Sequence, residues 1–277
     1  YFTKEEQKRI IVAELKSNDT WARDHGAISV FIDNKPTLLD FKFNGWGLKY
    51  PADLDNQITR LLYDLDVFRP EVDYVSHLNF ILEGGSIESD GKGTILTTSE
   101  CLTSPNRNQP LSLDDLEQTL TKWLGARRVL FLDHGYLAGD DTDHHIDTLA
   151  RFCNEQTIAY VKCEDKNDEH YDELKAMEIE LKNFTTVENK PYHLIPLPMA
   201  DAMYDDGFRL PVTYANFLII NDAVLMPCYQ SPKDEIAKKQ LQKAFPDREI
   251  VGIDCRVLIK QHGSLHCVTM QFPQGFL

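Results

Sequence analysis

Short apolar strands recur along this chain, and amphipathic helical segments fall between them in one order: strand, strand, helix, strand. Apolar runs bounded by turn residues predict strands at 27–31, 38–43, 80–82, 94–97, 128–132, 157–161, 193–197, 217–220, 223–226, 249–253 and 267–270. Apolar positions three or four apart predict helices at 53–65, 113–124, 168–184 and 233–245. Ser112 and Asp168 offer N-caps, and Gly125 stands where a helix C-terminus favours glycine.

Asn221-Asp222, between two strand runs, reads as a hairpin turn. Units that open with a hairpin and close with a helix and a strand build mixed sheets, not a doubly wound parallel one. No Gly/Ser-rich or Pro-rich linker divides the chain. The expectation is an α/β protein with one catalytic domain over residues 1–277.

Composition narrows the partners. A net charge of −15 disfavours nucleic acid, whose phosphates need clustered Lys and Arg, and favours small cations. No apolar run approaches the roughly 20 residues of a membrane span, so no membrane partner is expected. The chain opens at Tyr1 without methionine, and residues are expected to be missing before it. The six cysteines, at 101, 153, 163, 228, 255 and 267, form no C-x-x-C pair. Reduced, mostly buried thiols in a cytoplasmic protein are the expectation. Cys267 is the exception, because His262 and His266 stand within five residues of it.

Four segments carry polar residues that a core does not need. Asn18 to Gly26 sets Asp24 and other charges beside Trp21, a combination that suits a planar cation, although a solvated loop would look the same. Leu82-Glu83-Gly84-Gly85-Ser86 follows a strand, where the paired glycines permit a sharp turn or a close backbone approach to a ligand. It matches no nucleotide-binding pattern. Gly139 to Asp147 is rich in acids and histidines, yet it has neither the spacing of a calcium loop nor a zinc-binding H-E-x-x-H, so no metal is expected. An extended backbone there would put His145 and Asp147 on one side, for proton transfer and charge recognition. The fourth segment, Gln261 to Thr269, has a turn at Gly263-Ser264 and Cys267 at the start of a strand.

Taken in order, Trp21-Ala22-Arg23-Asp24-His25-Gly26, Leu82 to Glu88, Asp141 to Asp147 and His266-Cys267 closely resemble the agmatine deiminase family. That family is a peptidylarginine-deiminase-like branch of the pentein, or guanidino-modifying, enzymes. Leu96-Thr97-Thr98, Asn106-Arg107-Asn108 and Tyr214-Ala215-Asn216-Phe217 extend the match from about Asn18 to Gln271. The resemblance implies a five-bladed α/β propeller of ββαβ-type units, here with its first blade incomplete. It further implies Cys267 as nucleophile, His145 as acid and base, and Asp24 and Asp147 as carboxylates gripping a guanidinium. Asp141 stands beside them, Trp21 lines the pocket, and Gly85 belongs to the substrate-binding loop. Two departures stand out: Asp141 where the family has Glu, and His144 where it has Gly.

The expected reaction is hydrolysis of agmatine to N-carbamoylputrescine and ammonia, without a cofactor, with a place in putrescine and polyamine metabolism. Alternatives are a deiminase of free or peptidyl arginine, a non-catalytic guanidine or polyamine binder, and a metal-dependent hydrolase. A homo-oligomer is compatible with this reading.

Overall fold

The computed structural model describes residues 2–277. Among the described residues, the predicted rhythm occurs four times. Each time, two antiparallel strands are followed by a helix and by a third strand parallel to the second. The first unit is Ile28–Ile32, Lys35–Lys42, Asp55–Asp64 and Asp73–Ile81; the second is Ile87–Ser89, Thr94–Thr98, Leu113–Leu124 and Arg128–Leu132. The third is Ala150–Asn154, Thr157–Lys162, Tyr171–Asn183 and His193–Pro198; the fourth is Leu218–Ile219, Ala223–Cys228, Lys233–Ala244 and Glu249–Asp254. Each set of strands makes its own three-stranded mixed sheet. Among the described residues, no helix is long and apolar enough to cross a membrane.

Contacts divide the chain into two compact units: residues up to 84 together with 270–277, and residues 85–269. In the first, Ala27, Leu38, Phe68, Val72 and Phe276 form a core against Leu62, Tyr63 and Phe272. The end of the chain joins this core, since Arg69 N–H donates to the Phe276 carbonyl at 2.9 Å and the Phe276 ring is fully buried. Asp40 is also buried there. Burial pushes its carboxyl up to about 6, although the Tyr74 hydroxyl donates to it at 2.6 Å.

In the second unit, the middle strands Thr94–Thr98 and Thr157–Lys162 are buried almost throughout; the second carries the apolar run Ile158 to Val161, while the first is rich in β-branched residues. The helix Leu113–Leu124 starts after the predicted cap Ser112, which forms a capping box with Asp115, and ends at the predicted Gly125 in the left-handed region. It buries Leu116 and Leu120, one turn apart. Tyr171–Asn183 buries Leu174, Met177 and Leu181 at the same spacing. Each such leucine contributes roughly 1.5–3 kcal/mol.

Several local expectations are corrected. Residues 80–82 overlap the end of a nine-residue strand, Asp73–Ile81, whose polar Ser76, His77 and Asn79 hid its length. Ile87–Ser89 and Ala150–Asn154 escaped notice because one is short and the other carries Arg151 and Asn154. Asp168 does not cap a helix; the helix starts at Tyr171, and Asp168 accepts from the His170 N–H at 3.0 Å. Residues 267–270 are not a strand. Leu265 to Val268 form a turn, tied down by Thr269 N–H donating to the His266 carbonyl at 3.1 Å.

Candidate functional site

In the second unit, the turn at 265–268 is held from the side by Asn216, which is fully buried. Its Oδ1 accepts the backbone N–H of His266 at 2.9 Å and of Cys267 at 3.3 Å. Two N–H donors on one atom identify that atom as the carbonyl oxygen, so the amide nitrogen faces the other way. That nitrogen lies 3.2 Å from Cys267 Sγ and 3.3 Å from the Asp147 carbonyl. Oδ1 of the same amide lies 3.4 Å from Sγ, so the sulfur meets a donor and an acceptor on one side chain.

Asp147 reaches the same place from elsewhere in the chain. It is fully buried, with Oδ2 3.8 Å from Cys267 Sγ and 2.7 Å from His266 Nδ1. Its backbone is not extended, as predicted, but lies in a 3-10 turn, Ile146–Thr148, with His145 as the preceding residue. This turn still brings His145 and Asp147 into one neighbourhood while Ile146 is buried in the core. His145 is 1% exposed, its N–H donates to Thr142 Oγ1 at 3.2 Å, and its carbonyl accepts from Thr148 Oγ1 at 2.9 Å.

The acids before His145 serve the loop itself. Asp140 accepts from the Thr142 hydroxyl at 2.6 Å and the His144 N–H at 2.7 Å, while Asp143 accepts from Arg107 at 2.6 Å and Ser104 at 2.8 Å. Asp143 and His144 both take positive φ, a strained stretch that these bonds stabilise. Thr98 Oγ1 donates to the His144 carbonyl at 2.8 Å and so ties the loop to a buried strand end. Asp141 sits half-buried in this loop. Gly85 lies in the 3-10 turn Gly84–Ser86, whose Ser86 carbonyl accepts from Thr97 Oγ1 at 2.7 Å.

Trp21 and Asp24 belong to the first unit. They stand not in an open loop but at the start of, and within, a short helix, Ala22–His25. Both are buried, and Asp24 Oδ2 accepts the indole N–H of Trp46 at 3.0 Å. Trp46 packs edge-on to Phe43 and Tyr50 and has a left-handed backbone between Gly45 and Gly47. Burial holds the neighbouring His25 below the usual histidine range, against the pull of Asp55 and Asp24. The tight residue of the glycine pair is Gly84, where a Cβ would come 2.2 Å from the Arg23 carbonyl oxygen.

Four other thiols are raised by burial. Burial pushes Cys153 up to about 12 and Cys228 to about 11, and raises Cys163 and Cys255 as well. A cavity of about 430 Å³ opens elsewhere in the second unit, among Lys162, Asp168, Asp201, Arg209, Lys233 and Ile236, and includes none of the predicted site residues.

The structure brings Asp147 against Cys267, with His145 two residues before Asp147 in the same turn; sequence reasoning assigned no role to Asn216, His266 or Trp46. Asn216 already lay in one of the matched segments; His266 and Trp46 gave only adjacency to a cysteine and a Gly-Trp-Gly stretch as signals.

The family model of the Porphyromonas-type peptidyl-arginine deiminases matches residues 2–273. The chain belongs to this family. A crystal structure from Porphyromonas gingivalis, named a "putative arginine deiminase", is 58% identical to this family member, with a TM-score of 0.98 over 99% of this chain and 81% of the other. The C. jejuni agmatine deiminase, solved as a cysteine-to-serine variant with substrate bound, is 42% identical, with a TM-score of 0.86 over 92% and 74% of the two chains. A Listeria monocytogenes relative named "putative agmatine deiminase 2" is 34% identical over 98% of this chain and 78% of its own. Membership in a deiminase family places the chain among hydrolases acting on C–N bonds.

Proposed function

We propose that this deiminase-family protein hydrolyses agmatine to N-carbamoylputrescine and ammonia, with Cys267 as the nucleophile. The observation that carries the reading is the buried convergence on one sulfur: Cys267 Sγ lies 3.2 Å from the Asn216 amide nitrogen and 3.8 Å from the Asp147 carboxylate. A structural cysteine needs neither neighbour. The repeated ββαβ unit supports a pentein-type arrangement, to which the family resemblance alone assigns five blades.

The residues are assigned as follows. Asp147 and Asp24 are the carboxylates for the guanidinium, whose planar fork they match in pairs of hydrogen bonds. Trp21, Asp141 and Gly85 are assigned to substrate binding on the strength of the family motifs that carry them. The Cys267 thiolate adds to the guanidinium carbon, forming a C–S bond and a neutral tetrahedral adduct. His145 gives a proton to one nitrogen, the C–N bond breaks, and ammonia leaves. The remaining S-alkylamidino group is attacked by water, which His145 deprotonates; the C–S bond then breaks and the thiolate returns. Addition of an anion to a cation neutralises charge, so the first step needs no oxyanion hole.

The chemistry of the two named neighbours, arginine and agmatine deiminases, leaves the far end of the substrate as the point to test. Ammonia release is measured from agmatine, free arginine and an arginine-containing peptide, with chelator present. Turnover of agmatine alone is expected, and Cys267→Ala is expected to abolish it without loss of fold. Turnover of arginine instead would move the substrate and keep the mechanism; a fully active Cys267→Ala would overturn both.

A further inference from the structure

We infer that His266 is a positioning residue, locked as the neutral imidazole with its proton on Nδ1, and that it orients the Asp147 carboxylate. The inference rests on reading Asp147 as a guanidinium carboxylate. His266 is 2% exposed and touches charged groups on both ring nitrogens. Nδ1 lies 2.7 Å from Asp147 Oδ2, and Nε2 lies 3.0 Å from Arg151 Nη2.

Arginine decides the tautomer. A guanidinium has only donors and does not lose its proton, so the atom facing it must offer a lone pair. Nε2 is therefore the unprotonated nitrogen, and the single ring proton sits on Nδ1, where Asp147 accepts it. A doubly protonated ring would set N–H against N–H at Nε2.

Arg151 has no freedom to yield. It is buried at 3% exposure, and its Nε donates to Glu88 Oε1. Its Nη1 donates to the Phe217 carbonyl at 2.7 Å and the Ala215 carbonyl at 3.2 Å, and its guanidinium lies 4.9 Å from the centre of the Phe217 ring. Glu88 is held in turn, because Oε2 accepts the Phe152 N–H at 3.3 Å. Arg151 thus anchors two partners, Glu88 on one side and His266 with Asp147 on the other. The His266 backbone N–H is also fixed, by Asn216 Oδ1.

With Oδ2 committed to His266, the Asp147 carboxylate cannot turn about its own axis. A carboxylate that must meet a planar cation edge-on gains from such fixation, since misorientation weakens the paired hydrogen bonds. The role is neither nucleophilic nor acid–base.

The test compares inactivation of Cys267 by chloroacetamidine, a planar cation, and by chloroacetamide, its neutral counterpart with the same leaving group. Wild-type protein should favour the amidinium. His266→Leu should lower that preference about tenfold to a hundredfold, the usual cost of removing an outer partner of a site ligand. His266→Asn, whose amide N–H can take the place of Nδ1–H, should keep most of it. Equal losses with both reagents, or a full preference in His266→Leu, would overturn the inference.

The ¹⁵N shifts of His266 in wild-type protein give a readout independent of variant folding: a neutral ring protonated at Nδ1 is expected, and an imidazolium or an Nε2–H ring would refute the assignment. A wild-type protein without amidinium preference would instead refute the guanidinium reading of Asp147, with the NMR result still deciding the tautomer.

Discussion

The side-chain amide nitrogen of Asn216 lies 3.2 Å from Cys267 Sγ, across 51 residues of chain. The opposite end of the same amide takes two backbone N–H groups of the turn that carries the cysteine. One side chain therefore fixes the turn that carries the sulfur and brings a hydrogen-bond donor to it.

Replacing that donor by an acceptor should raise the thiol pKa while preserving shape. Asn216→Asp is expected to slow alkylation of Cys267 by iodoacetamide about tenfold at pH 7, which corresponds to one pKa unit. The rate is followed by intact-protein mass spectrometry, with circular dichroism as the check on folding. An unchanged rate would leave Asn216 with a backbone role only.

Trp46 holds Asp24 by one hydrogen bond to a buried carboxylate. Trp46→Phe removes the indole N–H and keeps an aromatic ring against Phe43 and Tyr50. If Asp24 grips the guanidinium, steady-state kinetics should show a KM raised about tenfold, since a hydrogen bond to a charged group is worth about 1.5–3 kcal/mol. A wild-type KM would mean that the placement of Asp24 does not depend on Trp46.

Asp40 makes stability depend on pH in a direction unlike that of most carboxylates. Burial raises its folded value to about 6 from an ordinary 3.8. The raised value means the folded state is favoured below pH ~4, and that advantage is lost as the pH rises through 6. The loss is on the order of 3 kcal/mol. Asp40→Asn, which can still accept from Tyr74, should raise Tm by roughly 5 °C at pH 8 and change it little at pH 4. Thermal melts at the two pH values check this; equal shifts at both would reject it.

Where local rules governed, the sequence was readable. The Ser112 box, the Gly125 terminus and the leucines of Leu113–Leu124 follow from propensity and spacing, and the structure keeps them. The turn at Asn221-Asp222 likewise joins Leu218–Ile219 to Ala223–Cys228. Reading failed where partners are remote. The strand expected after Cys267 is a turn because Asn216, not a neighbouring strand, takes the N–H groups of His266 and Cys267. The extended segment expected at His145 closes into a 3-10 turn, since the Thr148 N–H and hydroxyl both return to the His145 carbonyl.

The sequence by itself determined the ββαβ rhythm, the helix ends and the family, because each is written in residues a few positions apart or in motifs that match in order. Only the tertiary structure decided which groups face one another: Arg151 against Glu88 across 63 residues, His266 against Asp147 across 119, and Asn216 against Cys267. Those pairings satisfy buried donors and acceptors over long separations, and no periodicity in the chain records which partner a buried group will find.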